Sequence, residues 1–220
     1  MSWDPVWENI FVQRDGSKYP PEELVRFIAK NYYSAEERKA IKILEIGCGP
    51  GAGPGWFIAR EGFSYYGIDG SSTAIKKAEK RFLQEGLRGE FRVGDVEKLP
   101  WESETFDCVI DRGCLQCNDE NATARILEEV RKVLKKNGMH FSITSCAGSW
   151  GDGSGVRVDS TTYQDITEGP FKSMGAIRFA TRESLTKLYA GFEEVHIEHS
   201  IRSINDGQHE VSNWIVTCKK

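Results

Sequence analysis

The stretch Ile41–Gly53, I-K-I-L-E-I-G-C-G-P-G-A-G, decides how the rest of the chain is read. Its first half is a short apolar run with β-branched residues at Ile41, Ile43 and Ile46. Such a run suits a buried parallel strand, although its length alone leaves a helix open. The run stops at glycine, and Gly47, Gly49, Gly51 and Gly53 alternate with Cys48, Pro50 and Ala52. Glycine at this density excludes a regular element, permits positive φ and lets a bulky group lie against bare backbone. The residues that follow, G-W-F-I-A-R at Gly55–Arg60, read as a helix with Pro54 in its first turn. Strand, glycine loop and helix in this order predict a nucleotide-cofactor site at the carboxyl end of the first strand of an α/β sheet.

The glycines alone do not choose the cofactor, because G-C-G-P-G-A at 47–52 also satisfies the dinucleotide pattern G-x-G-x-x-G/A. Two details point elsewhere. Glu45 lies two residues before the first glycine, where a carboxylate repels a pyrophosphate and suits a cationic ammonium or sulfonium ligand. Pro50 and Pro54 remove two N–H groups from the region that would cradle phosphate. With these residues in view, E-I-G-C-G-P-G-A-G resembles the first motif of the class I S-adenosylmethionine-dependent methyltransferases, of the small-molecule, type 11-like kind. The resemblance implies S-adenosyl-L-methionine as cofactor, held at this loop by Glu45, Gly47, Cys48, Gly49 and Gly51. It also implies a Rossmann-like methyltransferase fold, a doubly wound, mostly parallel seven-stranded sheet with an antiparallel last strand.

Bulk properties narrow the class. A chain of 220 residues is long enough for one domain with a sizeable core. The net charge of -4, with no basic cluster, disfavours a nucleic-acid partner or an anionic membrane surface. No apolar run is long enough to span a bilayer, and the start M-S-W-D-P-V-W-E lacks the features of a secretory signal. The six cysteines follow no disulfide framework and are read as reduced thiols of a cytoplasmic protein. Cys114 and Cys117 form a lone C-x-x-C without two further ligands at zinc-site spacing, so no metal is expected.

The remaining elements follow in order. Trp3, Trp7 and Phe11 recur at helical spacing, which suits either a helix packed on the domain or an aromatic cover over the site. Tyr19 lies in the turn at 16–21, and Glu22–Tyr32 reads as a helix. Tyr65–Asp69 reads as a second strand ending in an acid about twenty residues past the loop, where such folds place the carboxylate for ribose hydroxyls. Gly70 and Ser71 join it at the cofactor, with Ser71 or Ser72 capping a helix over 73–84. Phe91–Val96 is a third strand. In the family this resembles, an acid such as Asp95 meets the adenine amino group and the N–H of Val96 a ring nitrogen, with Leu99, Pro100 and Trp101 as adenine walls.

Phe106–Asp111 is a fourth strand that opens at Asp111, Arg112 and Gly113. Asp111 is the expected catalytic group on the substrate side, and with Gly113 also a cofactor contact; His196 and His199 are weaker candidates for a base. A helix is predicted over 122–136, ended by Gly138, and a fifth strand over 139–145. The stretch 146–180, rich in Gly, Ser, Thr and Asp, is expected to be a structureless substrate lid with hinges at Gly151, Gly153 and Gly155. A helix over 181–190 and two strands joined at 205–207 close the chain.

One methyltransferase domain over 1–220 is therefore expected, with a helical cap at 1–38, a cofactor core at 41–145, the lid at 146–180 and a last helix and hairpin at 181–220. The expected reaction is methyl transfer to an O or N atom of a small polar metabolite such as a sugar or secondary metabolite, with Trp3, Trp7, Tyr19 and Trp150 touching the substrate. A nucleotide-dependent oxidoreductase and an inactive binding protein of the same fold stand as alternatives. The oligomeric state stays open, a homodimer included.

Overall fold

The structure, a computed structural model, describes residues 3–51 and 53–220; Ala52, the last residue of the glycine pattern, lies outside them. The seven-stranded sheet is laid out around β1 (Lys42–Ile46), whose last four side chains are all buried. On one side β1 pairs in parallel with β2 (Ser64–Asp69), and β2 with β3 (Glu90–Val93). On the other side come β4 (Phe106–Arg112) and β5 (Leu134–Ser145), also parallel. The last hairpin, β9 (Glu193–Ile204) and β10 (His209–Lys219), inserts β10 antiparallel beside β5 and leaves β9 at the edge. The order is β3-β2-β1-β4-β5-β10-β9, so the chain reverses its direction of travel between β1 and β4. That reversal opens a crevice beyond the carboxyl ends of those strands.

Strand alternation sends side chains to two faces, and each face has its own apolar cluster. Ile43, Tyr65, Cys108 and Ile110 pack against α2 (Glu22–Tyr32), α3 (Pro54–Arg60) and α4 (Ser72–Gln84). Leu44, Ile46, Ile68 and Val109 pack against α5 (Glu120–Val133) and α6 (Arg182–Leu188). Local chemistry sets the helix starts. Asp119 accepts the N–H of Ala122, Ser71 that of Ala74, and Thr181 forms a reciprocal capping box with Ser184.

Two boundaries differ from the sequence expectation. The helix expected over 122–136 ends at Val133, and Gly138 is not its terminator. The carbonyls of Lys132 and Val133 take the N–H groups of Glu104 and Thr105, which satisfies the helix end from outside. Leu134 is thereby released to pair with Phe106, and Lys135 reaches Asp107 at 2.7 Å. The third strand stops at Val93, which leaves Asp95 and Val96 in the loop beyond it.

The insert at 146–180 is not structureless. It carries a small sheet of β6 (Val156–Arg157), β7 (Thr162–Gln164) and β8 (Ile177–Arg178), with Ile166, Ile177 and Phe179 as its core. Backbone bonds from Ala147 to Ala180 and from Ala180 to Ser145 tie its two ends together. Gly151 and Gly153 have positive φ, whereas Gly155 is tight against the carbonyl of Gln164 and serves chain packing rather than a hinge. Before β1, α1 (Val6–Gln13) lies across α4. It is held by hydrogen bonds from Thr73 to Glu8 and by Lys77, which pairs with Asp15 at 2.7 Å.

Candidate cofactor and acceptor site

A cavity of about 380 Å³ lies at the crevice between β1 and β4. Its floor comes from strand ends: Gly47 after β1, Asp69 and Gly70 at β2, Gly94, Asp95 and Val96 after β3, and Arg112 and Gly113 at β4. The segment of Trp3, Asp4 and α1 roofs it with Trp7, Ile10 and Phe11, so the aromatic repeat covers the cavity as well as packing on α4. The short turn Leu115–Cys117 and the insert supply the other end, through Gln116, Cys117, Asn118, Phe171 and Met174. Of the residues expected at the cofactor or substrate, Gly47, Asp69, Gly70, Asp95, Val96, Gly113, Trp3 and Trp7 line this space.

The glycine loop is shaped by close approach. Gly47 has φ +62°, and a Cβ there would lie 2.5 Å from the Cβ of Cys114. A Cβ on Gly70 would run into the Trp3 indole. Asp69 is 5% exposed and binds the loop to the next helix: its Oδ2 accepts the N–H of Gly49 and its Oδ1 that of Ser71, both at 2.8 Å. Burial raises its pKa and those two bonds oppose the rise. Two of its lone-pair positions remain for a ligand. The Trp3 Nε1–H is buried without a partner, the kind of orphaned donor a polar ligand satisfies. Bare glycine backbone, acids at the ends of β2 and after β3, and an orphan donor suit an adenosine-type cofactor.

The other expected residues lie elsewhere. Cys48, Gly49, Gly51 and Ser71 support the loop from behind: Gly51 has φ +64° and abuts Ala78, and Ser71 caps α4. Glu45 faces away from the cavity. It is 3% exposed, accepts the Tyr65 phenol at 2.7 Å, and burial pushes its carboxyl up to about 8. The charge argument for a cationic ligand therefore does not hold, because this carboxyl keeps its proton at neutral pH. Asp111, expected as the catalytic group, is fully buried below the floor. It accepts from the Ser142 hydroxyl at 2.6 Å and from the N–H groups of Cys114 and Leu115 at 2.7 and 3.2 Å. Burial pushes it up to about 6, and its work is to clamp the chain after β4 onto β5.

Tyr19 is 70% exposed with its ring edge against Trp56, and Trp150 stacks on His209 with centroids 3.9 Å apart; neither lines the cavity. Leu99 is buried in the core and Trp101 packs on Tyr66 and Phe106, so neither walls it. His196 and His199 are on the edge strand β9, and among the described residues no histidine lines the cavity. Gln116, Cys117, Asn118, Phe171 and Met174 had no signal in the sequence beyond their place after β4 or within the insert.

Residues 43–138 match a sequence family described as a methyltransferase domain. The phthiotriol/phenolphthiotriol dimycocerosates methyltransferase of Mycobacterium leprae is 39% identical over 98 residues, 44% of this chain and 35% of that protein. A Bacillus subtilis protein named as an uncharacterized methyltransferase, YodH, is 32% identical over 101 residues, 46% of this chain and 42% of that one. The matched stretch thus spans well under half the length of these relatives. A Methanosarcina mazei structure described as a SAM-dependent methyltransferase superposes with TM-score 0.69 at 20% identity, covering 91% of this chain and 98% of that one. The phosphoethanolamine N-methyltransferase 2 of Haemonchus contortus, solved with S-adenosyl-L-methionine, gives 0.67 at 15% identity over 97% of this chain and 56% of that one. Among the described residues no helix is long and apolar enough to cross a membrane.

Proposed function

We propose that this chain, whose residues 43–138 match a family described as a methyltransferase domain, is a class I S-adenosylmethionine-dependent methyltransferase that transfers a methyl group to an O or N atom of a small molecule. The observation that carries the reading is Asp69: an acid at the end of β2, braced by two backbone N–H groups, on the floor of a cavity at the switch point between β1 and β4. When bound, S-adenosylmethionine supplies a methyl group on a sulfonium whose neutral thioether leaves without protonation. Asp69 would accept the two ribose hydroxyls on its remaining lone pairs. Gly47 and Gly113 would let the amino-acid portion lie against bare backbone, with Arg14 and Arg112 the cations available to its carboxylate. Asp95 and Val96 would meet the adenine edge, and the Trp3 indole N–H would find its partner in the ligand. Trp7 and Phe11, from the roof, would exclude water from the reacting pair.

With Asp111 buried below the floor and no histidine at the cavity among the described residues, transfer rests on alignment and desolvation more than on a strong base. Ile10, Cys117, Phe171 and Met174 give the cavity apolar surface, against which the hydroxyls of a sugar would find no partners. The test is calorimetric titration with S-adenosylmethionine, S-adenosylhomocysteine and NAD, followed by a methyl-transfer assay across small-molecule acceptors. Binding of the first two at about -8 kcal/mol, micromolar affinity, without NAD binding supports the reading. Binding of NAD alone would favour an oxidoreductase, and cofactor binding without turnover on any acceptor would favour an inactive binding protein.

A further inference from the structure

We infer that the acceptor end of the cavity is built for a small apolar ring bearing a hydrogen-bond acceptor on one side and a hydroxyl or N–H donor on the other. The inference rests on the methyl-transfer reading and names its substrate class. The apolar wall there is Trp7, Cys117, Phe171 and Met174, with the Asp4 carboxylate beside it, near enough to act on the Cys117 thiol. Burial pushes the Cys117 thiol up, which keeps it a neutral apolar surface. Two carboxamides interrupt this wall, and the surrounding backbone dictates which way each one points.

Gln116 uses Oε1 to accept the N–H and the hydroxyl of Ser145, at 2.9 and 3.0 Å. A backbone N–H only donates, so Oε1 faces β5 and Nε2 is turned to Gly113 and the cavity. Asn118 is set the opposite way. Its Nδ2 donates to the carbonyl of Cys114 at 2.8 Å, which leaves Oδ1 as the atom it presents. Its own carbonyl accepts from Nε of the buried Arg178 at 3.3 Å, which holds that stretch of chain to the insert. Turning either amide over would oppose two donors or two acceptors in a buried position. The wall thus offers one fixed amide donor and one fixed amide acceptor within aromatic and sulfur surface, with the Asp4 carboxylate as a further acceptor.

A polyhydroxylated ligand would bury most of its hydroxyls against Phe171 and Met174 unpaired. A ring with a carbonyl toward Gln116 and a hydroxyl or N–H toward Asn118 satisfies both amides and lays its faces on the aromatics.

The test uses the full chain saturated with S-adenosylhomocysteine and titrates four probes by calorimetry: 4-hydroxyacetophenone, 4-methylphenol, 4-methoxyacetophenone and glucose. The first should bind at least tenfold tighter than either analogue with one group removed, and glucose should not bind. Gln116→Glu keeps an oxygen for Ser145 but exchanges the donor for an acceptor. It should weaken 4-hydroxyacetophenone at least tenfold and 4-methylphenol less than twofold, with S-adenosylhomocysteine affinity unchanged. Equal affinity for all three rings, binding of glucose, or an equal loss for both phenols overturns the inference. A fall in S-adenosylhomocysteine affinity on Gln116→Glu overturns it too, because the donor would then serve the cofactor. Should the variant not fold, the ligand series on the wild type decides alone. Failure of S-adenosylhomocysteine to bind the wild type removes the methyl-transfer reading and the inference with it; its binding without any ring removes the inference only.

Discussion

Replacing Glu45 by glutamine changes the electrostatics at the centre of the sheet while keeping its shape. Glu45 is buried on β1, and burial pushes its carboxyl from an ordinary 4.5 to about 8, against the opposing Tyr65 hydrogen bond and Arg112 charge. A carboxyl raised in this way holds a proton in the folded protein that the unfolded chain has already released. The wild type therefore loses stability as pH rises from about 4.5 to about 8, and the loss levels off above that. At about 1.4 kcal/mol per pH unit, the whole interval is worth up to about 5 kcal/mol. Glutamine has no such proton, and its carbonyl still accepts from Tyr65. Glu45→Gln should match the wild type within about 1 kcal/mol at pH 4.5, the cost of its poorly partnered amide. It should exceed the wild type by about 3–5 kcal/mol at pH 8.5. Asp111, pushed up to about 6, titrates in the lower half of this window in both proteins, so the difference above pH 6 belongs to Glu45. Urea unfolding of both proteins at pH 4.5, 6.5 and 8.5 measures it, provided m is unchanged. A difference that stays constant with pH, or a variant less stable than the wild type at pH 8.5, refutes the reasoning.

Asp69→Asn sets an amide NH₂ against one of the two N–H groups its carboxylate now accepts, at Gly49 or Ser71. It should cost about 2–4 kcal/mol in urea unfolding and weaken S-adenosylhomocysteine at least tenfold by calorimetry. Unchanged affinity would remove Asp69 from the cofactor. Gly47→Ala adds a Cβ at φ +62° against Cys114, and strain plus overpacking should cost about 2–4 kcal/mol in the same assay. His140 is fully buried, its Nδ1 is 3.0 Å from the Val109 carbonyl, and burial holds its pKa down to about 4. Its contribution is complete above pH 6.5 and is lost as pH falls through about 4, up to about 3 kcal/mol. Ring carbon shifts in NMR should report a neutral imidazole down to about pH 5, and protonation near pH 6.5 would contradict its burial.

Local order along the chain was sufficient to bring the end of β1 and two of the expected acids to the cavity. A glycine loop after an apolar run, and acids at Asp69 and Asp95 at or just beyond later strands, are set by spacing, because the crevice always forms at the carboxyl ends of parallel strands. The antiparallel β10 was legible for the same reason, since a short turn permits no other pairing. Spacing carries no information about which way a buried side chain faces or what meets it from distant chain. Glu45 has Tyr65 as its partner, and Asp111 has Ser142 on the neighbouring strand, so both are buried and neither lines the cavity. The end of α5 was decided by Glu104 and Thr105, which take its last carbonyls from another element. Gln116 and Asn118 were invisible as a donor and an acceptor because an amide is both until something fixes it. Only the folded chain brings Ser145 from β5 to one and the carbonyl of Cys114 to the other, and so turns two neutral side chains into a directional pair.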